Sequence, residues 1–573
     1  ERRAALEARH PTWVPRALHE ALDDAAARWP DRPYVISDEA TYSYAHIRDW
    51  SLRLARGLVA AGVRPGQHVA LEMANYPEFV ACKFAISRTG ATTIPVNYLN
   101  RRDELAYVLR QSRATMLVVM AHFRDLDYLQ MLDDLAPDWP TRGGGDALPD
   151  LRRVIVFDND PDSAAAAIPD GATTLAQLES SAPAAADLPA VGTEATADIL
   201  YTSGTTGGPK GVQLTHDMVL RTAYGAAYGR GFEDGRRIVF AMPMYHVFGY
   251  LEGMLPAMFV GGAIIPHVSF DPHATLAAIE RHRATDMLAI PLMTQSVMDT
   301  RQELAQRGQP ADIASLASIL SSGTASPPGI WDRIDAELGC EEVTTGYGMS
   351  ETTASTTVTR PDDGPDKRRT TNGRLRDVGV AGDPSLGGRL VVYRAVDPEP
   401  GRAVGRAALG ALQALGPGVT KGYWDKPEAT TAAFTDDGWF RSGDLGIIDD
   451  DDYIRLVGRA KDCYRCGGEQ VVPKDAEDIL LEHPGVAQAL VVPVPDPKMG
   501  ETGAAFIVRR PGVEVGSDEL TALVAARLAK FKVPRHVLFI DAEDIPLTPS
   551  GRPRKFLLAE RATAELSLDH PDS

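Results

Sequence analysis

The stretch best equipped for chemistry is a run rich in glycine and hydroxyl groups at residues 201–216, Y-T-S-G-T-T-G-G-P-K-G-V-Q-L-T-H. Apolar residues precede it, and Val212 and Leu214 alternate with polar neighbours, so the pattern predicts two strands joined by a loop. Glycines let several backbone N–H groups point into one concavity, which suits the phosphates of a nucleotide. The residues expected to contact phosphate are Thr202, Ser203, Gly204, Thr205, Thr206, Gly207 and Lys210.

Two other interpretations of this run fit less well. A Walker-type P-loop needs G-x-x-x-x-G-K-[ST] at the start of a helix. Counting from Gly204, Pro209 stands at the second glycine position, and Gly211 follows Lys210 where Ser or Thr is required. A polar surface hairpin is the plainer alternative, but such hairpins rarely combine so many glycines and hydroxyls with one lysine.

A second group of candidate residues lies at 344–353, T-T-G-Y-G-M-S-E-T-T. Tyr347, between two glycines, can lie flat against a purine. Ser350 can hydrogen-bond a phosphate or carboxylate, and Glu351 offers an oxygen ligand for Mg²⁺, although a lone Glu is often only a solvated charge. Asp444, on a tight turn, can accept both hydroxyls of a ribose.

These motifs resemble those of the adenylate-forming superfamily, which includes acyl- and aryl-CoA synthetases, peptide-synthetase adenylation domains and luciferases. The resemblance covers nearly the whole chain, keeps five motifs in the family's order, and is nearest to the acyl- and aryl-CoA ligases. It implies that a carboxylate and ATP form an acyl-adenylate and pyrophosphate, and that the acyl group then passes to the CoA thiol. ATP, Mg²⁺ and CoA are therefore expected, with a small carboxylic acid as the other substrate.

The resemblance also implies roles for particular residues. His246 would flank the acyl site, although by itself it is more typical of a structural histidine. Arg459 would reach the nucleotide, and Lys461 would be the hinge of a mobile domain. The remaining residues expected to hold the nucleotide are Gly323, Thr324, Gly346, Tyr347, Gly348, Ser350 and Asp444.

The acyl pocket is expected, by the same correspondence, to use Phe248, Glu252, Ala354 and Ser355. Such a pocket is short and partly polar, which favours an aromatic or short substituted acid over a long fatty acid. Glu252 has two interpretations. Facing the pocket, it would prefer an acid with an amino or hydroxyl group; otherwise it is a helix residue turned to solvent.

One motif departs from the family pattern. Relatives carry a lysine that bridges the carboxylate and the α-phosphate, but Arg552 stands at that position, followed by Pro553. A planar guanidinium does not simply replace a compact ammonium at a close bidentate site. The catalytic cation is therefore either Arg552 or Lys555, with Arg552 favoured because the preceding Pro-Ser-Gly turn is intact.

Other functions remain open at this stage. The adenylate could pass to an acceptor other than CoA, such as an amine, or the activated oxyacid could be unusual, such as nitrite, giving an amide or N–N bond. Arg552 also leaves room for a nucleotide-binding pseudoenzyme. Release of pyrophosphate with and without CoA separates these cases.

The bulk properties are those of an acidic globular protein. The chain has 573 residues and a net charge of −19, which argues against nucleic acid or an anionic membrane as its partner. No stretch of 18 or more apolar residues occurs, and four cysteines, two of them in the C-x-x-C at 463–466, predict no disulfide framework. We expect a cytoplasmic enzyme, with a homodimer possible.

The expected fold is α/β, because helical patterns alternate with short apolar runs. A chain of this length needs more than one core. The resemblance implies a large N-terminal domain over residues 1–457, made of two packed α/β subdomains and a β-subdomain. A small mobile α+β domain is expected over 458–573.

Overall fold

The computed structural model describes residues 1–159, 168–183, 187–202, 208–324, 326, 329–397, 404–547 and 553–566. Two large sheets form the centre of the N-terminal part of the chain, and smaller sheets lie beyond them. The fold is α/β, as expected.

The first subdomain is built on a seven-stranded sheet whose apolar strands are buried. Its strands are parallel except for one antiparallel hairpin, in which Thr202 lies opposite Lys210. The hairpin expected around the phosphate loop is thereby confirmed. In spatial order the strands are Lys210–Thr215, Thr196–Thr202, Thr92–Pro95, His68–Glu72, Met116–Met120, Arg153–Phe157 and Thr173–Thr174. Its helices include Tyr44–Ala60, Pro77–Arg88, Arg102–Ser112, Tyr128–Leu135, Trp139–Arg142 and Leu175–Ser180.

The second subdomain repeats this plan with another seven-stranded sheet. Its strands are parallel apart from a hairpin at one edge, which comes from the start of the chain. In spatial order they are Glu342–Thr344, Ser318–Ser321, Asp286–Ala289, Arg237–Phe240, Ala263–Pro266, Pro33–Ile36 and Thr41–Ser43. The associated helices include Leu18–Arg28, His216–Gly229, Pro272–His282, Pro291–Gln306 and Ile330–Arg333, together with a π-helix at Phe248–Met254.

Antiparallel strands follow, as expected for a β-subdomain. A three-stranded sheet contains Gly346–Met349, Ala354–Val358 and Arg374–Leu375. A four-stranded sheet contains Val392–Val396, Leu409–Leu415, Phe440–Ile448 and Ile454–Arg459.

The C-terminal part has its own apolar core and its own five-stranded sheet. The strands are Tyr464–Cys466, Glu469–Val471, Val486–Asp496, Gly500–Arg509 and His536–Phe539, and the helices are Pro473–Leu481, Ser517–Ala525 and Lys555–Glu565. A short 3₁₀ turn at Ala460–Asp462 connects it to the preceding strand. The domain boundary at 457/458 stays a prediction, and that strand extends to Arg459.

A buried ion pair of the first subdomain lies where the two α/β subdomains meet. Lys83, from the helix Pro77–Arg88, pairs with Asp198 on the strand that leads into the phosphate loop. Tyr250 of the π-helix donates a hydrogen bond to Asp198 at 3.3 Å, and its ring centroid lies 4.8 Å from the Lys83 Nζ. Removing one partner of such a buried pair leaves an uncompensated charge in the interior. The contacts of Tyr250 with this pair connect the second subdomain to the first.

The four cysteines are unpaired, as expected. Within the described ranges, no three His, Cys, Asp or Glu side chains are grouped as a metal site would require. No helix in these ranges has the length and apolar character needed to cross a membrane.

Candidate active site

The candidate site lies where four parallel strands of the second sheet end. Phe240, Ala289, Ser321 and Thr344 are the last residues of neighbouring strands. The segments that follow them carry most of the residues expected to bind adenylate and acid. In open α/β sheets, ligands bind outside these carboxyl ends.

The end of the phosphate loop is firmly anchored. Tyr107 donates a hydrogen bond from its hydroxyl to the Pro209 carbonyl at 2.8 Å. Lys426 donates to the same carbonyl at 3.2 Å and to the Tyr107 hydroxyl at 2.9 Å. Gly208 has φ +79°, a left-handed conformation that glycine adopts readily. The expected phosphate contacts Ser203, Gly204, Thr205, Thr206 and Gly207 lie outside the described residues.

The segment G-P-G-V-T-K-G-Y-W at 416–424 runs beside the strand that carries Lys210. The Trp424 N–H donates to the Gly211 carbonyl at 2.7 Å, and the Gln213 N–H donates to the Gly422 carbonyl at 3.2 Å. This pairing places Tyr423, which is buried, between two residues expected to act on the phosphates. Sequence reasoning gave the segment no such role.

Tyr423 connects Lys210 to Glu351. The Lys210 Nζ lies 4.9 Å from the centroid of the Tyr423 ring, a cation–π contact. The Tyr423 hydroxyl donates to Glu351 Oε1 at 3.0 Å. Burial and the neighbouring Glu351 raise the pKa of Tyr423, so the phenol keeps its proton and remains a donor. The cation and the carboxylate therefore hold a fixed relation to each other.

Glu351 has the chemistry expected for Mg²⁺. It is half-buried on a 3₁₀ turn, and its carbonyl accepts from the Thr420 N–H at 2.7 Å. Mg²⁺ is commonly held by one or two carboxylates plus phosphate oxygens and water. One carboxylate beside a phosphate loop fits that pattern better than a cage made only of protein groups.

Three residues expected to bind the nucleoside meet across two sheets: Tyr347 lies on the three-stranded sheet, and Asp444 and Arg459 lie on paired strands of the four-stranded sheet. Asp444 is within the strand Phe440–Ile448, so its expected place on a tight turn is wrong. The Tyr347 hydroxyl donates to Asp444 Oδ2 at 2.6 Å, and Arg459 Nε lies 2.9 Å from Asp444 Oδ1. Burial and Asp444 together raise the pKa of Tyr347 well above its ordinary value. A carboxylate has about four acceptor positions, so Asp444 retains capacity for ribose hydroxyls. The structure brings this predicted set together.

The adjoining glycines have steric reasons for being glycine. A Cβ on Gly348 would stand 1.8 Å from the Ala354 carbonyl oxygen, which no side chain could tolerate. Gly346 accepts a hydrogen bond at its carbonyl from the Ser322 hydroxyl at 2.7 Å. That bond holds Gly323 and Thr324, which follow Ser322, against Tyr347's strand.

The His246 segment is positioned by a residue that sequence reasoning missed. Asn75 is buried and donates from Nδ2 to the Met242 carbonyl at 3.0 Å, while its Oδ1 accepts from the Met244 N–H at 2.8 Å. His246 is half-buried, and its Nδ1 accepts from the Phe248 N–H at 3.2 Å. The motif N-Y-P-E-F offered a sequence signal for Asn75, a polar residue just before a helix-starting proline.

The residues expected in the acyl pocket lie on closely packed elements. A Cβ at Gly323 would lie 3.8 Å from the Phe248 ring and 3.4 Å from Ile290. Ala354 and Ser355 are buried on the facing strand. Ala354 has φ +74°, unusual for a residue with a Cβ, and such strain clusters at ligand sites.

Glu252 requires a correction. It is completely buried in the π-helix, so the interpretation as a residue turned to solvent is wrong. Its Oε1 lies 2.9 Å from Arg376 Nη1, and its Oε2 lies 3.8 Å from Arg230 Nη2. Because two arginines face this carboxylate, the preference for an amino group on the acid loses its basis. Sequence reasoning missed both arginines because neither is near Glu252 along the chain.

The two candidates for the adenylation cation differ in what the structure shows. Arg552 lies outside the described residues. Lys555 begins the helix Lys555–Glu565, and its Nζ lies 2.5 Å from Glu477 Oε1 in the same C-terminal part. Lys461 is exposed on the connecting 3₁₀ turn, a place where a hinge would move freely.

Comparisons with known proteins give matches along most of the chain. The AMP-binding enzyme family matches residues 22–424, and the AMP-binding enzyme C-terminal domain matches residues 475–552. A methyl-dioxo-octahydro-indenyl propanoyl:CoA ligase of Mycobacterium tuberculosis is 33% identical, covering 95% of this chain and 99% of its own. A feruloyl-CoA synthase of Amycolatopsis is also 33% identical, over 91% and 96%. ATP-bound MatB from Rhodopseudomonas palustris superposes with a TM-score of 0.79 at 26% identity, over 95% and 98%.

Replacing Lys210 tests the phosphate loop. Lys210→Ala should lower the rate of pyrophosphate release roughly 10- to 1,000-fold, the range for losing one preorganised charge donor. The matched control is Lys421→Ala, which removes an exposed lysine paired with Glu194 and should leave the rate near wild type. Wild-type turnover by the Lys210 variant would contradict its role.

The departure at Arg552 is tested by three variants. Two unit charges about 4 Å apart repel by roughly 4 kcal/mol at an effective dielectric of about 20, or about a thousandfold in rate, so a cation must lie between carboxylate and α-phosphate. Arg552→Ala should lose most pyrophosphate release, and Arg552→Lys should keep or raise it. Lys555→Ala should lose little, because its ammonium is held by Glu477. An inactive Lys555→Ala would instead assign the role to Lys555.

Proposed function

The chain belongs to the AMP-binding enzyme family and is an AMP-forming acid–CoA ligase, and we propose that its acid is aromatic or short and substituted. The enzyme uses ATP to activate a carboxylic acid and transfers the acyl group to CoA, with Mg²⁺ as cofactor. The observation that carries the substrate proposal is the buried Glu252–Arg376 ion pair, which lies one helical turn beyond Phe248.

The ion pair limits the depth of the acyl space. Phe248 and Glu252 lie on the same π-helix, and Arg376 follows the strand Arg374–Leu375, next to the strand that carries Ala354. A long alkyl chain entering past Phe248 would have to separate these paired charges, which is costly. A ring or short chain would end before them.

The names of two relatives also indicate compact acids as substrates. One acts on a feruloyl group, which is aromatic, and the other on a dioxo-octahydro-indenyl propanoyl group, which is a compact ring acid. The chain covers nearly all of both proteins. Their acids support a compact substrate class without identifying the acid used here.

The proposed roles of the site residues follow from charge. Lys210 and the loop N–H groups would stabilise the negative charge on departing pyrophosphate, and Mg²⁺ at Glu351 would neutralise phosphate oxygens. Tyr423 would keep the Lys210 ammonium and the Glu351 carboxylate at a fixed separation. Asp444 and Tyr347 would hold the nucleoside. His246 would flank the reacting carboxylate.

The cellular location and the oligomeric state are also proposals. Four unpaired cysteines suit a reducing compartment, and we propose that the enzyme works in the cytoplasm. A homodimer stays a prediction that light scattering can check.

A panel of acids tests the substrate class. Pyrophosphate and acyl-CoA formation should be measured for benzoate, cinnamate, hexanoate and palmitate, each with and without CoA. The aryl and short acids should exceed palmitate in kcat/KM by roughly 100-fold or more, because the ion pair obstructs the longer chain. Palmitate as the best substrate would contradict the proposal, and absence of turnover with every acid would contradict the function.

The hinge role of Lys461 is tested by separating the half-reactions. Lys461→Pro fixes φ at the connecting turn and should hold the C-terminal domain in one arrangement. Acyl-adenylate formation should persist, while thioester formation from that adenylate should fall sharply. Lys461→Ala, which leaves φ free, is the matched control. Equal loss of both steps in a folded proline variant would argue against domain alternation.

A further inference from the structure

Arg376 has an unusual surplus of buried hydrogen-bond donors. Its side chain is 3% exposed, yet none of its three guanidinium nitrogens donates a hydrogen bond to any group in the described ranges. Its Nη1 does lie 2.9 Å from Glu252 Oε1, so charge is balanced while the N–H directions are not used. Buried polar groups are nearly always hydrogen-bonded, so this surplus calls for an acceptor.

The position of Arg376 connects this surplus to the acyl space. Its backbone N–H donates to the Thr356 carbonyl at 2.8 Å, on the strand that carries Ala354 and Ser355. Its side chain then passes Gly225 and Gly229 of the helix His216–Gly229, where a Cβ on either glycine would stand within 3.7 Å of it. The guanidinium ends beside Glu252 on the π-helix. It therefore lies between the two elements expected to form the walls of the pocket.

The charged side chains around Glu252 favour an electron-rich group on the bound acid. Glu252 faces two cations, Arg376 at 2.9 Å and Arg230 at 3.8 Å, and Arg230 also donates to the Glu252 carbonyl at 2.6 Å. Neither Glu252 oxygen accepts a hydrogen bond within the described part of the protein. An arginine has donors and no acceptor, so its partner must be an acceptor.

We propose that Arg376 is a specificity-determining residue that receives a hydrogen-bond acceptor, a ketone or carboxylate oxygen, at the end of the acid remote from the reacting carboxylate. This inference rests on the proposed function, since it assumes that the acid enters between Phe248 and Ala354. The acid would then be compact, as proposed, with its far end polar. Such an acid would accept hydrogen bonds from the unused N–H groups.

Matched pairs of acids separate polarity from shape. The pair 4-acetylbenzoate and 4-isopropylbenzoate has the same branching, as does the pair 5-oxohexanoate and 5-methylhexanoate, but only the first of each carries a distal acceptor. Acyl-CoA formation should be measured for both pairs with the intact chain. We expect kcat/KM to favour the oxo acid by roughly 10- to 100-fold, the range for a hydrogen bond to a charged group.

Variants then assign the preference to Arg376. Arg376→Met should abolish or reverse it, mainly through KM for the oxo acid, and Arg376→Lys should retain part of it because the charge remains. Glu252→Gln should extend the preference to terephthalate, a dianion, because the competing carboxylate is gone. The matched control is Arg236→Met. Arg236 is also buried, and it pairs with Asp286 and Glu342 at the amino end of the second seven-stranded sheet, away from the strand ends that carry the site. That variant should lose stability and leave the oxo preference unchanged.

The outcomes of these experiments distinguish failure of the Arg376 inference from failure of the proposed function. Turnover of both acids in a pair without an oxo preference would overturn the inference and leave the proposed function intact. No turnover of any acid would overturn the proposed function itself. If Arg376→Met does not fold, the wild-type preference and the Arg376→Lys and Glu252→Gln variants still decide the matter. An oxo preference that survives in folded Arg376→Met would assign recognition to another residue.

Discussion

The buried contact between Lys83 and Asp198 is the constraint on which the rest of the site depends. Both side chains are removed from water, so each would be strongly destabilising without the other. Asp198 lies on the strand that enters the phosphate loop, and Tyr250, which donates to it, lies on the π-helix of the other subdomain. The Tyr250 hydrogen bond therefore connects the strand that enters the phosphate loop to the helix that carries Phe248 and Glu252.

Local cations oppose the overall charge of the protein. A net charge of −19 disfavours anionic substrates at long range, although salt screens that field beyond about 8–10 Å. At the site, Lys210, Arg459 and Arg376 are each held close to a carboxylate or an aromatic ring. These contacts fix the cations before substrate arrives, and preorganised charge of this kind is the usual source of electrostatic stabilisation in enzymes.

Features set by short stretches of sequence could be predicted, whereas contacts between residues far apart in the chain could not. The hairpin at Lys210 follows from the residue types of one short stretch. The two packed subdomains and the nucleotide role of Arg459 were expected from the family resemblance of such stretches. The roles of Tyr423 and Asn75 were not predicted, because their partners lie in other subdomains or elements. The solvent interpretation of Glu252 failed for the same reason, since only the folded chain shows Arg376 and Arg230 beside it.

The phosphate-binding residues were easier to predict than the acid-binding residues, and this difference has a physical basis. Phosphates are bound through backbone N–H groups and a few charges, and the phosphates are the same whatever acid is used. The acid instead meets side chains, and one buried ion pair can change the depth and polarity of its pocket without moving a strand. Glu252 and Arg376 come from the π-helix and from the segment after Arg374–Leu375, and their pairing joins the two elements expected to form the walls of the pocket. A fold can thus keep its reaction while a few buried charges select the substrate.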